Sequence, residues 1–563
     1  MISPKPTLFN TKTAHIIGLI GSACLIYLVI SLIYFGPSSI TYLSSHIFNN
    51  STDPEQFIWY YNWWPFAIIH HLNPFISYYV WYPKGYNLAW STSIPTLSLL
   101  MLPVTLLGGA VLSYNLIAIL SPVLAATAAF MLLYYLTKQY LPSLIAGYIY
   151  GFSSFVLAQL LGHPQQYAIF LLPLALLAYL MLVQKRLKPL HFIMLSVVLL
   201  LLQTGISLET TMTFMLFSAL TWGAFYCQKA YRQILKPTIK YLLYTFSAYL
   251  VVLSPFIYYL LAGLKNLPNT IHPMTAFSLN VANLFIPTPI SLIGGHSFAP
   301  ISHYFIGNIA ENGAYMGLPL LLILLYLTIK YWKNTLLKTL VICLIIIGIA
   351  AIGPRLHLIG QTGASFWMPW AIVSHLPLID AAQPDRFSVY FFLITAVLIG
   401  WWLSMKTKTN SKRQLKLLLS FIAIIFLIPN TNSYAWPKPI LPNSFQPQNV
   451  KRYLANKPNI FILPLDASGI YYQYATKMSF TQAAGYAGFV PRDYVKNPVI
   501  VELRYNQLTN NFVTQFKLFV KQNDITKVII IKAVTPSQQI SAIKSLGWPT
   551  IDLGDSLIIS VKK

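Results

Sequence analysis

The chain has 563 residues, of which 56% are hydrophobic and 9% charged, and its mean hydropathy is +0.61. A water-soluble globule of this size could not cover so much apolar surface, so the solvent for most of the chain is lipid. The formal charge of +25 would suit nucleic acid, but Lys and Arg sit in short clusters between apolar runs, not in one patch, and no nucleic-acid partner is expected.

A membrane-crossing helix takes about 17 to 25 apolar residues. Such runs lie near residues 14–34, 94–112, 114–136, 141–160, 166–184, 190–204, 206–227, 241–262, 314–332, 336–353, 386–405 and 414–429. They predict an all-α polytopic membrane bundle of about 11 to 12 transmembrane helices. No A-x-A-like cleavage site clearly follows the first run, which reads as a retained helix. Cys24, Cys227 and Cys343 stand far apart without a C-x-x-C pair, so neither a disulfide framework nor a zinc site is indicated.

The short connections carry Lys138, then Lys185, Arg186 and Lys188, then Lys229, Arg232, Lys236 and Lys240, then Lys330, Lys333 and Lys338, then a cluster from Lys406 to Lys416. By the positive-inside rule these are cytoplasmic, with the N-terminus inside. The count closes only if one early run is not a full crossing. Residues 94–112, with Pro95, Pro103 and the Gly108-Gly109 pair, are the candidate for a re-entrant or interfacial segment. The transmembrane domain then covers residues 1–429, with large outer loops at 35–93, 263–313 and 354–385. A Pro-rich linker at 430–450 leads to a small soluble α/β domain at 451–563, on the outer face. Its strands are expected at Ile460 to Leu463, Val528 to Ile531 and Leu557 to Val561, and a helix at residues 536–546.

Only six acids precede residue 430, namely Asp53, Glu55, Glu209, Glu311, Asp380 and Asp385, and all fall on or near the outer face of this map. The richest outer segment holds Asp53-Pro54-Glu55-Gln56, then Trp59, Asn62, Trp63, Trp64, His70, His71 and Asn73, and then Lys84. Its Trp and Tyr content places residues 54–71 in the headgroup layer. Asp53 before Pro54, with Gln56 three residues on, also reads as a plain helix N-terminus, and a cap would fix the carboxylate in place either way. Asp53 and Glu55 could instead hold a divalent cation such as Mg²⁺ or Mn²⁺. His70 and His71 read first as interfacial polar residues.

Glu209, about a turn inside its helix, is either functional or one half of a buried pair. The loop at 263–313 adds His272, His296, His303 and Glu311-Asn312-Gly313-Ala314-Tyr315, a wall over a cavity or a plain solvated loop. Arg386, at the outer start of a helix, could fork onto a phosphate, or snorkel, or pair with Asp380 or Asp385. Arg355, His357 and the loop Gly162-His163-Pro164-Gln165-Gln166 complete the outer polar set.

Asp53-Pro54-x-Gln56-Phe57-x-Trp59, Trp63-Trp64-Pro65, Leu72-Asn73-Pro74-Phe75, Asn87-Leu88-x-Trp90-x-Thr92-Ser93-Ile94-Pro95 and Gly162-His163 resemble a group of largely uncharacterised bacterial glycosyltransferase-like membrane proteins, nearest within the GT-C class. The resemblance covers about residues 50 to 210, with patches at Glu311 to Pro319, Pro384 to Phe387, Leu463-Pro464 and Gly485-Tyr486. It implies a bacterial inner-membrane transferase that moves a sugar from a polyprenyl-phosphate donor to an extracytoplasmic glycan, lipid or protein of the cell envelope. Asp53 or Glu55 would be the base. Arg386, Arg355, Lys84 or His163 would meet the donor phosphate, and Trp59, Asn62, Trp63, His70, His71, Asn73, Glu209, Glu311, Tyr315 and Asp385 would line the substrate site. The chain departs from the class where O-mannosyltransferases have adjacent Asp-Glu and this sequence has Asp53-Pro54-Glu55. The alternatives are a transporter or flippase of a lipid-linked precursor, or a non-catalytic relative.

Overall fold

A computed structural model describes residues 11–49, 53–268, 274–360, 366–374 and 382–562. His272 and Asp380 lie outside the described residues. By contact the chain divides into two compact units: Met1–Ser38 with Leu116–Val251 and His272–Ala435, and Ser39–Asn115 with Val252–Ile271 and Trp436–Lys563. Division by contact therefore differs from division by composition, because the first large outer loop groups with the C-terminal segment.

The chain is a multi-pass membrane protein. Among the described residues six helices are long and apolar enough to cross a bilayer: Thr13–Phe35, Leu102–Thr137, Tyr140–Gln159, Pro164–Val183, Lys229–Asn266 and Pro384–Ser404. Pro189–Thr204, Leu318–Tyr331 and Thr335–Ala351 are shorter apolar helices. Helices Leu208–Tyr226 and Asn410–Phe426 occupy two further apolar runs. In hydrocarbon a backbone satisfies its own polar groups, and helices do so within each segment.

In the first unit, helix Ser388–Ser404 is buried along most of its length and packs against Tyr140–Gly151 and Thr335–Ala351. An apolar surface on every side suits this central place. Gly147 and Gly151, spaced four apart, let helix Tyr140–Gly151 lie against the backbone at Pro122 and Ala126. Small residues at this spacing allow helices to touch main chain to main chain. The first helix is tied in by Tyr27 Oη donating to Leu144 O at 2.7 Å and Ser31 Oγ donating to Ile119 O at 2.6 Å.

In the second unit, helix Asp53–Ile69 carries both acids in its first turn, where a helix N-terminus favours negative charge. Its aromatic residues are covered by protein: Trp59, Tyr60, Tyr61, Trp63 and Trp64 are all buried. Helix Ser468–Ala475 packs on it, and the chain at Pro74, Ser91, Ser93 and Ala487 accepts its indole and phenol donors. A buried Trp or Tyr needs such a partner for its polar edge.

The strands β1 (Ile76–Ser77) and β2 (Tyr86–Asn87) form a small hairpin. The other five strands, β3 (Asn459–Leu463), β4 (Thr481–Gln482), β5 (Lys527–Ile531), β6 (Thr550–Asp552) and β7 (Ser556–Ser560), form one mixed sheet in the order β4-β3-β5-β7-β6. β3 runs parallel to β4 and β5, while β7 runs antiparallel to β5 and β6. The three strands expected from sequence are β3, β5 and β7, each buried over most of its length, and the expected helix is Ser537–Lys544.

A Cβ at Gly151 would run into the Ala126 N and Pro122 O atoms of the main chain. Gly151→Val should therefore cost about 1–3 kcal/mol through overpacking. Thermal unfolding in lipid nanodiscs measures this, and an unchanged midpoint would show that the two helices do not touch there.

Candidate functional site

Each unit holds one polar constellation. In the second unit, helix Asp53–Ile69 presents Glu55 to the start of helix Ser468–Ala475. Burial pushes the Glu55 carboxyl up to about 7, the Ser468 hydroxyl pulls the other way, and Asp466 adds further repulsion. Glu55 Oε2 is buried without a hydrogen-bond partner. Asp466 is itself raised by burial, with Ser468 opposing, and Ser468 N donates to its Oδ1 at 2.9 Å. Asp53 stands at the head of the same helix and acts electrostatically on Tyr114 and Tyr486. The result is a carboxyl group whose neutral form is favoured well above the usual carboxylate range.

The two helices are held together a turn further on. Trp59 Nε1 donates to Gln473 Oε1 at 3.1 Å, and Gln473 Nε2 donates to Tyr79 O at 2.7 Å and Phe480 O at 3.1 Å. Trp59 and Trp63 stack with ring centroids 5.1 Å apart.

In the first unit a different arrangement holds Arg386, in the 3-10 turn Pro384–Phe387 that opens helix Ser388–Ser404. Its Nε donates to Glu311 Oε2 at 3.0 Å and its Nη2 to Glu311 Oε1 at 2.5 Å, a two-pronged fork. Nη1 donates to Glu209 Oε2 at 2.6 Å. The amides complete the carboxylates: Gln159 Nε2 donates to Glu311 Oε2 at 2.9 Å, Gln166 Nε2 to Glu209 Oε2 at 2.8 Å, and Gln383 N to Glu209 Oε1 at 2.8 Å. His163 Nδ1 lies 3.5 Å from Glu311 Oε1 and 2.7 Å from Gln159 Oε1. Burial alone would raise the Glu311 carboxyl, but Arg386 and His163 outweigh it and hold the group below the usual carboxylate range.

Local sequence explains how these groups arrive. Ser207 caps helix Leu208–Tyr226 by accepting from Thr210 N, which sets Glu209 in the first turn. Gly313 brings the Glu311 loop against Phe155 and Ala158, on the short helix that carries Gln159, where a Cβ would crowd both. Asp385 is buried beside the cluster, and its Oδ1 has no hydrogen-bond partner.

The residues expected to meet a donor phosphate thus have differing surroundings. Among the described residues Arg386 is engaged by two carboxylates, Glu209 and Glu311, and Asp385 acts on it electrostatically. Lys84 is exposed and pairs with Asp493 at 2.9 Å. Arg355 is exposed and lies over the Trp367 ring.

Among the other expected residues, Asn62 Nδ2 is buried without a partner, and Trp63 Nε1 donates to Pro74 O. Asn73 Nδ2 donates to Tyr259 Oη at 2.9 Å. His70 and His71 are exposed, with His70 Nδ1 at 2.8 Å from Phe66 O, and Tyr315 is buried. Sequence reasoning missed Gln159, Asp466, Ser468 and Gln473 as members of these sites. For Asp466 the available signal was its place two residues after Pro464, beside the Leu463-Pro464 pair.

Among the described residues no group of three or more His, Cys, Asp or Glu side chains could hold a metal ion. Mg²⁺ is commonly bound through one or two carboxylates, with water and substrate phosphate completing its six oxygens, so Asp53 and Glu55 remain the pair that would offer it ligands.

A family model described as a domain of unknown function, DUF6311, matches residues 24–430. The chain belongs to that family. No curated protein matches this DUF6311 chain. Among solved structures, the mycobacterial arabinofuranosyltransferase AftD aligns at 13% identity and a TM-score of 0.55, over 91% of this chain and 36% of that one. Two others are similar at lower scores. The archaeal oligosaccharyltransferase AglB from Archaeoglobus fulgidus, solved with an inhibitory peptide and a dolichol-phosphate, gives 13% identity and 0.46 over 91% and 69%. ArnT from Cupriavidus metallidurans gives 10% identity and 0.46 over 98% of each chain. The likeness to AftD establishes a shared fold for this DUF6311 chain, which spans about a third of the larger protein.

The cluster around Arg386 makes a stability prediction. Removing one partner of a buried pair leaves an uncompensated charge, so Glu311→Ala should destabilise the protein by about 3–5 kcal/mol. Arg386→Lys should also destabilise it, because an ammonium cannot reproduce the fork. Denaturant unfolding in nanodiscs reads both, and wild-type stability in the pair would remove the cluster's structural role.

Proposed function

We propose that this protein is a membrane glycosyltransferase that moves a sugar from a polyprenyl-phosphate-linked donor to a hydroxyl on an extracytoplasmic acceptor. The observation that carries the reading is the Glu55 carboxyl, buried beside Asp466 and brought to about 7, on a chain that shares its fold with an arabinofuranosyltransferase. A general base works best when its proton affinity lies near the working pH. Glu55 has that property, and its unpartnered Oε2 is the oxygen able to accept a proton from an incoming hydroxyl.

In the proposed step, Glu55 takes the acceptor's hydroxyl proton as the oxygen bonds to the anomeric carbon. The bond from that carbon to the lipid phosphate breaks, and the phosphate leaves with the electron pair. Attack from the face opposite the leaving group inverts the anomeric centre. Burial and the neighbouring Asp466 carboxyl keep the proton on Glu55 once captured. The donor would reach the protein through the bilayer, and the acceptor through water. We place the site on the outer face of a bacterial inner membrane, with the N-terminus inside.

The test is sugar transfer by purified protein in nanodiscs against a panel of polyprenyl-phosphate sugars. Glu55→Gln should lose about 10²–10⁴ in rate, the ordinary contribution of a general base. Because the base acts when deprotonated, the wild-type rate should rise with pH through about 7 and then level, and this limb should vanish in the variant. Full activity in both Glu55→Gln and Asp53→Asn would remove the proposed base. Movement of labelled lipid across vesicles without a glycosidic product would favour a transporter.

A further inference from the structure

Residues 85–137 contain no Asp, Glu, Lys, Arg or His, a charge-free stretch that begins well before the membrane-crossing part of helix Leu102–Thr137. That helix has 36 residues, about 54 Å at 1.5 Å per residue, against a hydrocarbon core of about 30 Å. It does not run straight. Gly109, at φ 86° and ψ 164°, breaks the helical path and separates Leu102 to Gly108 from the long remainder. The short helix Pro95–Leu100 precedes it, and Thr105 N donates to Met101 O across the joint. The segment is an elbow.

Its polarity is inside out. Ser98 is fully buried and its Oγ donates to Tyr60 O at 3.2 Å, on helix Asp53–Ile69. Thr105 is buried and its Oγ1 meets Ser113 Oγ at 2.8 Å. The leucines face the other way: Leu99 is 42% exposed, Leu100 58%, Leu106 59% and Leu107 91%. Water as solvent would favour the reverse, with hydroxyls out and leucines in. Hydrocarbon favours this arrangement, because each hydroxyl then finds a partner inside the protein.

We propose that residues 98–107 form a lipid-inserted elbow whose four exposed leucines sit among the acyl chains of the leaflet beside helix Asp53–Ile69. Continuity with a membrane-crossing helix identifies bilayer lipid as the occupant. Through the Ser98 hydrogen bond and the packing of Pro95–Leu100 on Asp53–Ile69, the elbow fixes how deep that helix, with Asp53 and Glu55, stands at the membrane. The proposal holds whether or not the protein transfers a sugar.

The unmodified full-length protein in lipid nanodiscs tests it by two footprints read in one mass-spectrometric map. A diazirine carried on a lipid acyl chain should label Leu99, Leu100, Leu106 and Leu107 several-fold more than the peptide around Tyr505, which is 67% exposed in the C-terminal segment. Hydroxyl radicals from water should give the reverse ratio. Radical oxidation of the elbow at the level of Tyr505, without lipid labelling, would overturn the proposal, as would protection from both reagents, which would mean that another protein surface covers the leucines. A nitroxide on Leu107→Cys, in a background of Cys24→Ser, Cys227→Ser and Cys343→Ser, gives an independent reading. Its relaxation should respond several-fold more strongly to oxygen, which dissolves in lipid, than to a water-soluble nickel chelate, and the opposite preference would also overturn it.

Discussion

A charge in or beside hydrocarbon has to be neutralised where it stands, because no water can do so. Arg386 meets that requirement with protein groups alone. It opens a helix that is buried along most of its length, and its guanidinium carries donors in fixed directions. Two carboxylates meet them, Glu311 as a fork and Glu209 from the first turn of another helix. Their remaining oxygens need donors in turn, and Gln159, Gln166 and the Gln383 amide supply them. One cation thereby draws segments from across the first unit to a common point, and their helices are oriented by it.

The same requirement gives the opposite outcome in the second unit. Glu311 is deeply buried and stays ionised because a guanidinium and an imidazole face it. Glu55 is also buried, but its near neighbours are a hydroxyl and another carboxyl, so its neutral form is favoured up to about 7. A carboxylate locked to a cation holds structure and has little freedom to exchange a proton. One poised between its two forms can do so at little cost. The difference in neighbours, rather than in depth, separates the structural acids from the one suited to chemistry.

Hydropathy made the membrane segments legible because a spanning helix announces itself locally, over a single run of the chain. The strands β3, β5 and β7 were legible for a similar reason, each being a short β-branched run in a polar context. Partnerships across the chain were not. Arg386 was expected to meet a donor phosphate, to snorkel, or to pair with Asp380 or Asp385, and the carboxylates it does meet lie 177 and 75 residues away. The aromatic residues of helix Asp53–Ile69 suggested a headgroup belt, since Trp and Tyr suit an interface as well as a core. One partner that covers them is Gln473, 414 residues from Trp59, and no local pattern reveals it.

That long-range contact also bears on how far the family can carry a function. The DUF6311 match ends at residue 430, so it includes Asp53, Glu55 and the whole cluster around Arg386. Asp466 and Ser468, which adjust the proton affinity that burial raises at Glu55, lie beyond it. A member that kept Asp53-Pro54-Glu55 but followed it with a different C-terminal segment would hold the same acid in different surroundings, with a different ease of ionisation. The chemistry proposed for Glu55 therefore belongs to the pairing of the outer helix with the C-terminal segment, and is not a property of the matched region alone.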